Sequence, residues 1–484
     1  MDLRSYRSAG FFDELVAADG KARPFARRLW NHLRALGLPR LREHQRAAEY
    51  ALREMGITFT VYGKGSSVDR VWPLDVVPRL IMAEEWSVVE AGLKQRLKAL
   101  NRFIDDVYNA RKIVKDKVFP AALLDGSTTI MPECHGSRPP GGVWAHVSGS
   151  DLVRGADGRL RVLEDNLRIP SGVSYVLENR AVMKRAFPEA FEAHDVAAVD
   201  DYPAALHATL SSLCPRRVKT PLVAVLTPGV YNSAYFEHSF LAQQMGAELV
   251  EGRDLFVGAD NALYMRAISG PERVDVLYRR VDTSFLDPEV FRKDSALGVP
   301  GLMRAWKAGT VVIANAPGTG VADDKAVYAY VPRMIEYYLR ETPILPNVHT
   351  YQCSDPRERT EVLERLPELV LKPVNASGGY GIVIGPRATP AQIKTARRRV
   401  QEDPRNFVAQ PLVALSTAPT LSAGGLAPRH LDLRTFTLMG RSLWVAPGGL
   451  TRVALRKGSY VVNSSQGGGS KDTWVVAARS PRRR

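Results

Sequence analysis

Apolar residues recur at spacings of three and four from Trp86 through Val89, Leu93, Leu97, Leu100 and Ile104 to Val107. That period predicts one long amphipathic helix with its apolar stripe against a core. Downstream the pattern shortens. Two strand-like runs between His146 and Asn166 flank Asp157-Gly158, a pair suited to the positive φ angles of a two-residue hairpin turn. Ser171-Gly172 then leads into a predicted helix reaching Arg185. Residues 222–226 form a short apolar run broken by Thr227-Pro228-Gly229. Residues 234–245 read as a helix closed by Gly246, and residues 248–250 as a strand. This strand–turn–helix–strand order predicts a parallel α/β lobe, extended by strands at 275–278 and 310–314. A helix is expected over 325–339. From Val370 onward strands and loops dominate, with one helix at 390–401 and a loop at 419–428 rich in Ser, Ala, Gly and Pro. The expected class is α/β, assembled from α+β lobes, with no internal repeat.

The hairpin carries the most informative acids. With Asp157 and Gly158 as the turn, Ala156 pairs with Arg159, and counting outward sets Asp151 opposite Glu164. Asn166 lies two residues further on and shares a face with Glu164. Facing carboxylates repel unless a cation lies between them. Two carboxylates and an amide oxygen suit Mg²⁺, which takes hard oxygen ligands and shares them with substrate phosphates. A surface hairpin with scattered acids is the competing reading.

A second group of residues points to phosphate. Residues 369–373 form a strand carrying Lys372. It runs into a Gly-rich stretch in which Ser377, Gly378, Gly379 and Gly381 can turn backbone N–H groups toward a triphosphate. Lys372 would add a point charge. The Walker pattern is absent: Gly63-Lys64-Gly65-Ser66 lacks its spacing, and Gly318-Thr319-Gly320 is too short for a dinucleotide fingerprint. Residues 407–411 read as a buried strand. Alternation over 430–436 places Asp432 and Arg434 on one face. Arg452 and the Gly-rich segment from Asn463 to Lys471 follow. Two arginines and an anion nest fit charge stabilisation during phosphoryl transfer. Arg168, Arg279 and Arg280 are candidate anchors for a substrate carboxylate.

Composition narrows the partners. A chain of 484 residues, 45% hydrophobic and 24% charged, has room for two to four lobes of an ordinary globular kind. The net charge of +15 raises nucleic acid as a partner. Its basic residues are dispersed, however, apart from Arg397–Arg399 on a helix and Arg482–Arg484 in a basic tail, and no nucleic-acid motif accompanies them. Part of the excess fits a site for a polyanion. No apolar run is long enough to span a bilayer, and Met1-Asp2-Leu3-Arg4-Ser5-Tyr6-Arg7 lacks a secretion-signal core, so no membrane partner and a cytoplasmic location are expected. Cys134, Cys214 and Cys353 are too widely spaced for a zinc cluster or a disulfide framework.

These motifs resemble those of ATP-grasp ligases, in which a lysine, a Gly-rich loop, a hinge strand, Asp-x-Arg, a further Arg, and Asn with a Gly pair precede a metal-binding Asp and Glu-x-Asn. Here the order is cut. Lys372 through Gly469 supplies the first part, and Asp151 through Asn166 the last. The chain is therefore similar to circularly permuted ATP-grasp proteins, in particular the glutathionylspermidine-synthase-like bacterial family, with the most specific likeness at residues 163–175 and 461–474. The resemblance implies ATP and Mg²⁺ as cofactors, with Asp151, Glu164 and Asn166 as metal ligands. It implies Lys325 and Lys372 as nucleotide-binding lysines, Gln410 at the adenine hinge, Asn463 beside the phosphates, and Arg434 and Arg452 as catalytic, phosphate-contacting arginines. It also implies that the lobe beginning near Leu222 is a Rossmann-like pre-ATP-grasp domain. The expected layout is an α-rich region over 1–140, the metal-binding part over 141–200, the Rossmann-like substrate lobe over 215–320, the nucleotide-binding part over 321–478 and the basic tail over 479–484. The implied activity joins a small-molecule or peptide carboxylate to an amine through an acyl phosphate. The rival from another class is a nucleotide-binding scaffold or regulator without turnover. True glutathionylspermidine synthetases carry an arginine two residues before the metal Asp; here that position is Gly149, which tells against spermidine.

Overall fold

The computed structural model describes residues 6–8, 10–63, 66–375, 380–460, 462 and 467–477, with backbone alone at 59–63 and 66–69. Ser377, Gly378, Gly379, Asn463 and the tail at 479–484 lie outside the described residues.

The centre is a seven-stranded sheet. Its order is Leu74–Met82, Gly469–Val476, Leu443–Val453, Gly425–Met439, Val147–Arg154 and Leu160–Asn166, and Thr417–Ser422 pairs with the first half of Gly425–Met439. All of its pairings are antiparallel except the parallel one between Gly469–Val476 and Leu74–Met82. The strands carrying Glu164, Arg434 and Arg452 thus share one sheet although up to 288 positions separate them in the chain (Glu164 to Arg452). This is the arrangement that the cut order of motifs requires.

The predicted long helix is Ala83–Tyr108, and its apolar stripe is buried as the spacing demands. Trp86, Val89 and Leu93 pack on Leu152, Val162 and Leu433 of the sheet. Leu97, Leu100, Ile104 and Val107 pack into the core of the α/β lobe. One helix therefore serves two layers, which explains why its stripe runs unbroken for six turns.

The α/β lobe is a four-stranded parallel sheet in the order Val312–Ala314, Val276–Arg279, Val223–Leu226, Glu248–Val250, with helix Tyr235–Met245 as the first crossover. A third sheet is antiparallel: Tyr351–Gln352, Phe407–Pro411, Leu369–Pro373 and Val383–Ile384. Helices Pro356–Arg365 and Pro390–Glu402 cover it through Val362, Leu366, Ala396 and Val400. Thr389 and Gln392 form a capping box at the start of the second helix, with Pro390 in its first turn, a sequence-level start signal.

Three expectations need correction. The helix over 325–339 is two helices, Lys325–Tyr328 and Val331–Leu339, because Pro332 cannot donate the hydrogen bond that would join them. The loop over 419–428 is a hairpin: Thr417–Ser422 pairs with Gly425–Met439, and Pro419 sits opposite Pro428 on an edge, where a missing N–H is tolerated. Leu74–Met82, inside the stretch read as α-rich, is a buried strand of the central sheet. The rest of that stretch includes helix Arg27–Glu54, kinked at Gly37. Among the described residues no helix is long and apolar enough to cross a membrane.

Candidate active site

The Asp151 hairpin reaches its predicted register by a different route. The turn holds three residues: Gly155 N donates to Arg159 O at 3.3 Å, and Gly158 N to Gly155 O at 3.0 Å. Gly158 alone takes the left-handed conformation there, at φ 75°. Arg154 then pairs with Leu160 and Leu152 with Val162. Continued unbroken, this register would set Asp151 against Leu163. A β-bulge between Asp151 and Leu152 absorbs Leu163 and restores the pairing of Asp151 with Glu164.

Asp151 is buried and fixed by two arginines from neighbouring strands. Arg434 grips it with a fork, Nε to Oδ1 at 2.6 Å and Nη2 to Oδ2 at 2.8 Å. Arg452 Nη2 donates to Oδ2 at 2.7 Å. Arg452 is itself held by Asp432, at 2.8 Å from Nε and 2.5 Å from Nη2. Burial alone would raise the Asp151 pKa, but the two guanidinium groups prevail and leave it well below the usual carboxylate range. For Asp432 burial wins, and its pKa lies above the ordinary value despite Arg452. The repulsion expected between facing carboxylates is thus relieved by protein cations, and Asp432 is the residue that sequence reasoning left without a role. Its signal was the i, i+2 alternation with Arg434.

Across the cleft stand the lysines. Lys372, on Leu369–Pro373, is 8% exposed, and no hydrogen bond or ion pair holds its ammonium among the described residues. Burial lowers its pKa to about 8, the Glu164 carboxylate partly opposing this and Lys325 adding to it. Lys325 Nζ lies 3.5 Å from Glu164 Oε2. Gln410 is buried on Phe407–Pro411, opposite Val370, and donates to Thr350 Oγ1 at 2.8 Å.

One cavity of about 710 Å³ takes in Asp151, Glu164, Asn166, Lys325, Lys372, Gln410, Arg434 and Arg452. Its volume is that of a ligand pocket, about 300–1,000 Å³. Val370, Ile382, Ile384, Leu412 and Val413 give the Gln410 end an apolar lining that suits a base. Gly381 takes a positive φ of 73° next to Pro373 and does not line the cavity.

The three proposed carboxylate anchors divide. Arg168 reaches the cavity but is held by Asp323 at 3.0 Å and Asp282 at 3.4 Å. Arg279 and Arg280 do not line it. Arg279 is buried and donates to the carbonyls of Asn315, Val281 and Ala316. Arg280 is buried against Glu237 at 2.8 Å and donates to the Pro170 carbonyl and the Tyr278 hydroxyl. Arg279 braces the α/β lobe internally and Arg280 ties it to the hairpin's exit at Pro170, so neither is available to a substrate as placed.

Glu164 and Asn166 fit a hard cation. Asn166 Nδ2 donates to Gly149 O at 3.2 Å, which leaves the amide oxygen for a ligand. Asp151 fits less well: Oδ2 already accepts from both arginines, so only Oδ1 has capacity to spare. Gly149 is crowded, because a Cβ there would lie 3.1 Å from Pro170 Cβ and 3.7 Å from Arg434 Cδ. An arginine at this position, as in spermidine-using synthetases, would displace the present wall.

Comparison with known proteins agrees with this architecture. The family model for circularly permuted ATP-grasp, type 2, matches residues 78–454. An uncharacterised protein of Synechocystis sp. is 54% identical over 98% of this chain and 99% of its own length. One from Mycobacterium tuberculosis is 53% identical over 97% of this chain and 84% of its own. A Frankia alni protein named as a candidate glutamate–cysteine ligase is 45% identical over 98% of this chain, which covers 54% of that longer protein. Among solved structures, a glutathione-synthetase-like effector of Globodera pallida superposes with a TM-score of 0.59 at 13% identity, over 90% of this chain and 97% of that one. That likeness is one of fold alone.

Proposed function

The chain belongs to the circularly permuted ATP-grasp proteins of type 2, and on that footing we propose that it is an ATP-dependent carboxylate–amine ligase. The observation that carries the reading is Lys372: a buried cation with no hydrogen bond or ion pair among the described residues, beside Lys325 and lining one cavity with Arg434 and Arg452. A fold keeps such a charge dry at a cost, and a polyphosphate is the ligand that would offset it.

In this reading the base lies on the apolar surface near Gln410, and Lys372 and Lys325 hold the phosphates. A substrate carboxylate oxygen attacks the γ-phosphorus, and the bond to the bridging oxygen breaks with release of ADP. The amine nitrogen then attacks the acyl carbon, phosphate leaves, and the nitrogen loses a proton. Arg434 and Arg452 stabilise charge on the transferred phosphoryl group and on the tetrahedral oxyanion. Asp432 is a positioning residue for Arg452. Glu164 and Asn166, with Asp151, would hold Mg²⁺, which when bound neutralises phosphate charge. The phosphate-facing arginines now grip Asp151, so nucleotide binding involves an exchange of partners at Oδ2. No nucleic acid or membrane is invoked, and the cytoplasm is the proposed location. The test is ADP release over a panel of carboxylates with hydroxylamine as a surrogate amine. Hydroxamate formation that requires ATP and acid supports the ligase. ATP binding without hydroxamate from any acid refutes it.

A further inference from the structure

Behind the residues that fit a metal lies a buried ion pair. Glu164 and Asn166 line the cavity, whereas Asp165 between them does not, as alternation along Leu160–Asn166 requires. Asp165 accepts from the hydroxyl of Ser150, the residue before Asp151, at 2.8 Å. It is gripped by Arg96 of helix Ala83–Tyr108: Nε donates to both carboxylate oxygens at 2.8 Å, and Nη2 lies 2.7 Å from Oδ2. The two side chains are 2% and 0% exposed.

The same guanidinium reaches two further parts of the site. Nη1 donates to Asn347 Oδ1 at 2.8 Å, and the group lies over the Tyr328 ring, 5.5 Å from its centroid. Asn347 Nδ2 closes the triangle by donating to Tyr328 O at 3.0 Å. Tyr328 ends the one-turn helix that Lys325 begins, and its hydroxyl donates to Val162 O, on the strand of Glu164, at 2.6 Å. Asn347 belongs to a segment that runs along that strand: Val162 N donates to Pro346 O and Val348 N to Val162 O, both at 2.9 Å. Three residues further on is Thr350, the partner of Gln410. One buried cation thus joins the strand of Glu164 and Asn166, the helix of Lys325 and the approach to Gln410.

Fold stability is a weak reason for this pair, since well-packed apolar residues often replace a buried ion pair without loss. Geometry is a stronger one. A guanidinium holds its donors in one rigid plane and fixes several partners at set angles, which an ammonium cannot do. We propose that Arg96 is a positioning residue: it holds Glu164 and Asn166, the metal side of the site, in register with Lys325, the phosphate side, whose ammonium is 3.5 Å from Glu164. Arg96 does not line the cavity and acts only through these partners. The role rests on the ligase reading and adds to it the residue that couples its metal to its nucleotide.

The test is calorimetry of a non-hydrolysable ATP analogue on the full chain, once with Mg²⁺ and once with EDTA. In the parent Mg²⁺ should tighten the analogue. Arg96→Lys keeps a cation beside Asp165 and loses the fork, and about tenfold of that tightening should disappear. Asn347→Ala leaves the Arg96–Asp165 pair in place and removes the link to the helix of Lys325, so a smaller loss in the same direction is expected. Arg180→Lys is the control. Arg180 and Asp472 form a pair as deeply buried, 0% exposed each, and neither lines the cavity. This variant should lose urea stability as Arg96→Lys does, yet keep the full effect of Mg²⁺. Parent-like tightening in both Arg96→Lys and Asn347→Ala overturns the proposal, as does an equal loss in Arg180→Lys. If Arg96→Lys does not fold, Asn347→Ala, at a half-buried side chain, decides alone. A parent that binds the analogue but is indifferent to Mg²⁺ also overturns it. A parent that shows the tightening but forms no hydroxamate from any acid sinks the ligase and spares the role of Arg96. A parent that does not bind the analogue sinks both.

Discussion

Replacing Lys372 by Met is expected to move stability and binding in opposite directions. The ammonium is buried, lacks a partner among the described residues, and has a pKa lowered from 10.5 to about 8, chiefly by burial. At about 1.4 kcal/mol for each tenfold change in proton affinity, holding that charge costs the ligand-free fold roughly 3 kcal/mol at neutral pH. Met keeps much of the stem and removes the charge, so urea denaturation should show a ligand-free variant more stable than the parent by about 1–3 kcal/mol. The sign also fixes the pH window. A lysine whose pKa falls on folding burdens the native state fully below about 8, and the burden is gone above 10.5. The advantage of the variant should therefore shrink as pH rises through that interval. Binding goes the other way. Loss of one charge-assisted contact to phosphate should weaken ATP by about 1.5–3 kcal/mol, or roughly 10- to 150-fold, in calorimetry. In the parent, ATP should raise the lysine's pKa, so binding near pH 8 should take up protons and weaken as pH rises further. A variant that is less stable than the parent and binds ATP equally well would refute the reasoning: Lys372 would then be a structural cation with an unrecognised partner.

Glu164→Gln loses a partly exposed pairing with Lys325, so ligand-free stability should change by less than about 1 kcal/mol; thermal shift should show a smaller gain with Mg²⁺-ATP than in the parent, and an equal gain would remove Glu164 from the metal site. Arg434→Lys keeps the charge and loses the fork on Asp151; kcat for ADP release should fall by about 10²–10³ with near-UV dichroism unchanged, and a kcat like the parent's would deny Arg434 a role in the reaction. Arg280→Ala leaves Glu237 buried without its guanidinium; urea denaturation should report a loss of about 3–5 kcal/mol, and an unaltered midpoint would return Arg280 to the candidates for substrate binding.

Local signals carried the reading far. The unbroken 3.6-residue stripe from Trp86 to Val107 was legible because both ends of the helix meet a core. The parallel lobe was legible because its strands are short apolar runs with breakers between them. The pairing of Asp151 with Glu164 came out right although the turn was wrong by one residue, since the bulge at Leu163 compensates, and neither deviation has a mark in the sequence. What could not be read was long-range. Nothing near Asp151 announces that its counter-charges are Arg434 and Arg452. Nothing beside Arg279 and Arg280 distinguishes a guanidinium held by backbone carbonyls or a buried glutamate from one facing a ligand. Pro419 hid an edge strand, because a proline-rich stretch reads as a loop until its partner is known.

The separation of Asp151 from its arginines, by 283 and 301 positions, bears on the order in which the protein is made. The acidic hairpin leaves the ribosome well before the strands that neutralise and flank it. Until Gly425–Met439 and Leu443–Val453 are synthesised, Val147–Arg154 has an unpaired edge and Asp151 no counter-ion with which to be buried. Such a fold has high contact order and is expected to close slowly, with the nascent sheet exposed to wrong partners in the interval. Closure of the sheet and assembly of the charged centre are then one event, so a growing chain cannot complete that centre until Leu443–Val453 has emerged.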